Sequence, residues 1–153
     1  MPEKVISAFA RALFSKDMVS ARIILALSEF MWFMLLVWPG DTFGRPTYNG
    51  MAKVMPEECW ALVFLATSMM QSAIIGKENF HSREARWFAA YNVLLWVFVV
   101  GSMLASVYPP PAAISAEIVL ALASFWIWLK PHVERWMIIK SWRAVYGRQV
   151  RGL

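Results

Sequence analysis

Residues 87–113 read WFAAYNVLLWVFVVGSMLASVYPPPAA, 27 positions without one formal charge. A helix needs roughly 20 apolar residues to cross about 30 Å of hydrocarbon. Buried helices of soluble domains seldom run so far without a polar face. The stretch therefore holds one membrane span, 87–107, followed by Tyr108 and the prolines Pro109, Pro110 and Pro111. Three prolines in a row cannot continue a helix, and they are stiff. They predict a tight reversal into another apolar run, 112–129.

Two more runs lie upstream. Residues 59–76 carry no charge, and 18–38 are interrupted only by Arg22 and Glu29. Pro39 and Gly40 stop the first run, Pro56 with Glu57 and Glu58 restarts a helix for the second, and Lys130 with Pro131 closes the fourth. Charged residues make up 16% of the chain, against about a quarter in a soluble domain. The expectation is an all-α polytopic membrane protein with four transmembrane helices, 18–38, 59–76, 87–107 and 112–129, in one domain over 18–129. The first run follows a long basic leader and no small-x-small site precedes Pro39, so it reads as an uncleaved span.

Charge orients the spans. Of fifteen Lys and Arg, only Arg45 and Lys53 fall between the first and second spans, and none falls between the third and fourth. Lys4, Arg11, Lys16 and Arg22 come first, Lys77, Arg83 and Arg86 join spans two and three, and the rest follow span four. Lys and Arg stay on the cytoplasmic side. Both termini and the 77–86 loop are thus expected to face the cytoplasm, with the chain multi-pass in its membrane. Tryptophan and tyrosine mark the interfaces: Trp38, Tyr48, Trp60 and Tyr108 at the outer level, Trp87, Trp128 and Trp136 at the inner.

Residues 1–17 predict an interfacial amphipathic helix. Val5, Ile6, Phe9 and Leu13 fall on one arc, and Lys4 and Arg11 fall opposite, with Asp17 placed to cap the following span. Residues 130–153 form a basic cytoplasmic tail. Lys4, Arg11, Lys130, Arg135, Lys140 and Arg143 are the expected headgroup contacts, so the lipid bilayer is the first partner. The same charges account for topology, and no nucleic-acid partner is expected. Cys59 is the single cysteine, so no intrachain disulfide can form.

Polar residues at membrane depth are the candidate site. At ~1.5 Å per residue, Glu29 lies about 10 Å in from Arg22 at the cytoplasmic side, and Gln71 and Asn92 lie about 8 Å in from Gly76 and Trp87 on that same side. The three are expected to meet as one hydrogen-bonded layer. Glu117 lies about 8 Å from the outer end of span four, with Ser102 of span three at comparable depth as its expected partner. Faces carrying Ser68, Gln71 and Ser72, or Asn92, Val99, Ser102 and Ser106, are expected to be helix contacts. No glycine-rich phosphate loop, nucleophile elbow or metal-ligand spacing occurs. An enzyme, a metal site and a cofactor are not expected.

The stretch WPGDTFGRPTY at 38–48, followed by MPEECW at 55–60, resembles small multi-span membrane proteins encoded by tailed bacteriophages. The likeness covers about the first half of the chain and implies a phage product in the bacterial inner membrane. Holins are the best-known function of such proteins, and a short chain with a basic cytoplasmic tail is similar to them, although four spans departs from their commoner one to three. The leading expectation is a holin-like homo-oligomer, or a phage-encoded membrane modulator acting by self-association. The alternatives are a small channel or proton-coupled transporter subunit using Glu29 and Glu117, and a scaffold whose basic tail recruits a cytoplasmic protein partner.

Overall fold

The computed structural model describes residues 2–77, 80, 82–108, 112 and 114–149, with side chains described within 18–137. The elements are α1 (Pro2–Val37), a 3-10 turn η1 (Pro46–Tyr48), a short α2 (Asn49–Ala52), α3 (Glu57–Gly76), α4 (Arg83–Ser106) and α5 (Ile114–Gln149). Four of these helices are long and apolar enough to cross a membrane: Met18–Val37 within α1, all of α3 and α4, and Ile114–Met137 within α5. Among the described residues there is no strand.

Local chemistry sets the helix ends. Pro56 precedes α3, and Glu57 and Glu58 occupy its first turn, where carboxylates meet the positive end of the dipole. Ser82 caps α4, its hydroxyl accepting from the Ala85 N–H at 3.0 Å.

Two boundaries differ from the sequence reading. α1 runs unbroken from Pro2, so Asp17 stands inside the helix instead of at its start, and no break separates residues 2–17 from the first span. α5 continues through Pro131 to Gln149, so the tail extends the fourth helix. Proline costs one backbone bond and a local clash, and in a long apolar helix neighbouring groups absorb both. The side chains of Lys4, Arg11, Lys140 and Arg143 lie outside those described, and Arg135 is exposed.

The bundle is built from two close helix pairs, α1 with α3 and α4 with α5; between the pairs, α1 also approaches α5. Small residues permit the close approach: Ala26, Ala61 and Ser68 in the first pair, Ala85, Ala89 and Ser124 in the second are all buried. Ser68 Oγ donates to the Ala26 carbonyl at 2.9 Å, tying α3 to α1. Rings fill the space between the pairs. Trp96 of α4 meets Phe64 of α3 at 5.8 Å and Trp32 of α1 at 6.4 Å, and Trp60 stacks on Phe98 at 5.5 Å. Trp60 is thus buried, its indole donating to the Met51 carbonyl at 3.1 Å, and is not an interface anchor. Trp38, Trp87, Tyr108 and Trp136 are exposed, as a belt requires.

Candidate functional site: a polar interior

The buried face of α1 steps through Met18, Arg22, Leu25, Glu29, Trp32 and Leu36, every third or fourth residue. Two of those six carry charge. Relative exposure is 1% for Arg22, 0% for Glu29, 1% for Gln71, 0% for Asn92 and 2% for Lys130. The polar groups named by depth are therefore all inside, but they are grouped differently from the expectation.

Arg22 Nη1 donates to Gln71 Oε1 at 2.8 Å, and Nη2 reaches the Ala85 carbonyl at 3.5 Å, while Phe80 lies 6.0 Å from the guanidinium. Arg22 thus pins α3 and α4 to α1. Measuring the depth of Glu29 from Arg22 set the origin at a residue that is itself inside the bundle. The Arg22–Ala85 contact fixes the register of the parallel helices α1 and α4. Glu29 and Asn92 each lie seven residues further on, so they share a level about 10 Å beyond Arg22 at ~1.5 Å per residue. Gln71 belongs to the Arg22 level. The expected triad is accordingly split, with Glu29 and Asn92 together and Gln71 one layer away.

At the Glu29 level the polar groups are poorly matched. Both carboxylate oxygens of Glu29, both amide atoms of Asn92 and the indole N–H of Trp96 make no hydrogen bond of good geometry, although the Trp96 indole is the polar neighbour of the carboxylate. Each such buried group costs about 1–3 kcal/mol, and native proteins carry few of them. The layer is held in place by the surrounding rings and the Arg22 clamp.

A second carboxylate closes the interior at the other end. Glu117 of α5 is buried, and the Trp32 indole is its polar neighbour. Ser102, the expected partner of Glu117, donates instead to the Val99 carbonyl of its own helix at 2.8 Å. In a long apolar helix the i−3 carbonyl is the nearest acceptor for a serine. Tyr48 stands edge-on to Trp32 at 5.8 Å and stacks on Phe43 at 6.2 Å. Burial raises the Tyr48 phenol above its ordinary value, the negative charge of Glu117 adds to this, and Arg45 opposes it.

Sequence reasoning missed three parts of this site. Arg22 was read as a flank, although its seven-residue spacing from Glu29 puts both on one helix face. Lys130, expected among headgroups, is buried beside Pro131. The segment between the first two spans was given no part in the site, yet Thr42 and Met51 are buried there. The faces expected to be helix contacts are largely used within the bundle, since Ser68, Gln71, Asn92, Ser102, Glu117 and Ser124 are all buried. Among the described residues no group of three or more His, Cys, Asp or Glu could hold a metal ion. No protein family, curated protein or solved structure matches the chain.

Proposed function

We propose that this chain is a phage-encoded protein of the bacterial inner membrane, with both termini in the cytoplasm, that makes the membrane permeable to protons through the interior of its helix bundle. The observation that carries this reading is the Glu29 carboxylate, sealed from the surface with no hydrogen bond of good geometry to either oxygen, in a polar interior that also holds Asn92 and Glu117. An ionisable group at membrane depth is costly and marks a pathway or a relay. Glu29 and Glu117 take up and release the proton. Asn92 shares the level of Glu29, Trp96 and Trp32 line the stretch toward Glu117, and Arg22 holds the bundle in register at the cytoplasmic end. The orientation rests on the distribution of Lys and Arg.

The test is a pair of measurements on proteoliposomes: acidification of a trapped pH indicator under a pH gradient, and escape of a trapped fluorescent dye. Proton entry without dye loss, abolished by Glu29→Gln, is the expected result. Dye loss that survives Glu29→Gln would replace this reading with a self-associated, holin-like lesion. Silence in both assays, with function in cells lost on deleting residues 138–153, would favour the scaffold.

A further inference from the structure

The segment between α1 and α3 does not hang free. η1 and α2 fold back across α4, and Met51 of α2 is completely buried. A close approach of backbones seats this strap. A Cβ placed on Gly50 would lie 2.8 Å from both the Cβ and the backbone carbonyl oxygen of Ser102, so only glycine fits there without a shift. The Gly50 N–H donates to Ser106 Oγ at 2.9 Å. The Trp60 indole holds the Met51 carbonyl at 3.1 Å from the opposite helix pair. Further back, the Phe43 N–H reaches Glu57 Oε2 at 3.4 Å, and Thr42 Oγ1 donates to the Leu35 carbonyl at 3.4 Å.

Two properties of the strap go beyond what a connection between helices needs. It spans both helix pairs, holding α4 through Gly50 and α3 through Met51. It also carries Tyr48 onto Trp32, the ring that neighbours Glu117. The described ring contacts at this end form one run from Phe43 through Tyr48 and Trp32 to Trp96 and Phe64.

We infer that the strap 46–52 is the gate of the polar interior at the Glu117 end, with Tyr48 as its plug and the Gly50–Ser102 seat as the contact that holds it shut. The inference rests on the proton-path reading for what passes the gate, and on packing alone for the gate itself. Lifting the strap frees Gly50 from α4, takes the Tyr48 ring off Trp32 and admits water to Glu117. The seat is polar and small, one N–H to one hydroxyl over a glycine, which suits a contact that opens and closes.

The experiment separates the gate from the path. Val99 is buried one turn below Ser102. In full-length protein carrying Cys59→Ser, a Val99→Cys probe is treated in liposomes with a membrane-impermeant thiol reagent. Labelling is expected to be slow with the native strap and about tenfold faster with Gly50→Val, because overpacking at the seat favours the locally open state. Tyr48→Ala, which removes the plug without a clash, should act in the same direction and covers the case in which Gly50→Val does not assemble. Unchanged labelling in Gly50→Val and Tyr48→Ala proteins of native helix content would overturn the gate. Faster labelling with no proton entry in any variant would keep the strap as the cover of the interior and remove the proton path.

Discussion

Arg22 and Gln71 meet at 2.8 Å inside the bundle, a charged donor of the first span held by a neutral acceptor of the second. The bond is asymmetric in what its loss leaves behind. Removing Gln71 strands a guanidinium in the interior, whereas removing Arg22 strands only an amide. Gln71→Leu should therefore destabilise by about 3 kcal/mol or more, the scale of an uncompensated buried charge. Arg22→Met should cost only about 1–2 kcal/mol, as for one interhelical hydrogen bond. Reversible unfolding in mixed micelles with rising denaturing detergent gives both numbers, and equal losses would contradict the asymmetry.

Glu29 invites the opposite expectation for stability. Its oxygens have no hydrogen bond of good geometry, so Glu29→Leu removes a desolvated polar group and should be neutral or stabilising by about 1–3 kcal/mol. A loss of stability of that size in the same detergent titration would mean that the carboxylate is paired in the membrane. Natural proteins keep such groups for function at the expense of stability.

Sidedness can be read by labelling. In a Cys59→Ser background, Asn49→Cys, exposed on the strap, should react with an impermeant thiol reagent added to intact cells. Arg83→Cys, exposed at the start of α4, should react only after the cells are opened. Thr42 is a poor probe because it is buried against α1. Reaction of Arg83→Cys in intact cells would invert the topology.

Tyr48 gives a pH test. Its phenol is raised above the ordinary value of 10.0, first by burial and then by Glu117. A raised value means that the unfolded chain loses this proton more readily than the folded one. The contribution of Tyr48 is thus full below pH 10 and falls away as pH climbs through the folded value. Tyr48→Phe should extend the alkaline limit of stability, measured as the unfolding midpoint between about pH 9 and 11. An identical alkaline limit in both proteins would place Tyr48 in free solvent.

The four spans were legible because length and the absence of charge are one-dimensional properties. Residues 87–113 and 59–76 disclose them directly. Burial of Glu29, Gln71 and Asn92 was legible for the same reason, since a polar side chain at membrane depth must turn inward. Their grouping was not. It depends on the offset between α1 and α4, set by Arg22 reaching Ala85, and no count along one helix reveals an offset between two. The continuity of α1 through Asp17 and of α5 through Pro131 was not legible, because both residues are signals of tendency that continuity of the helix overrides. The strap escaped notice because Gly50 resembles any loop glycine until Ser102 is brought against it.

The division into two close helix pairs bears on how the chain is made. α1 and α3 emerge from the ribosome together, and their ties, Arg22 to Gln71 and Ser68 to Ala26, close within the half already synthesised. Glu29 has no such early companion, because the side chains at its level, Asn92 and Trp96, belong to α4. The insertion machinery must hold the first hairpin, with a carboxylate turned to an empty flank, until the second arrives. Severing the chain between residues 77 and 83 and co-expressing the halves should then restore the whole bundle, while the front half alone is cleared by membrane proteases. Glu29→Leu should prolong the life of that orphan.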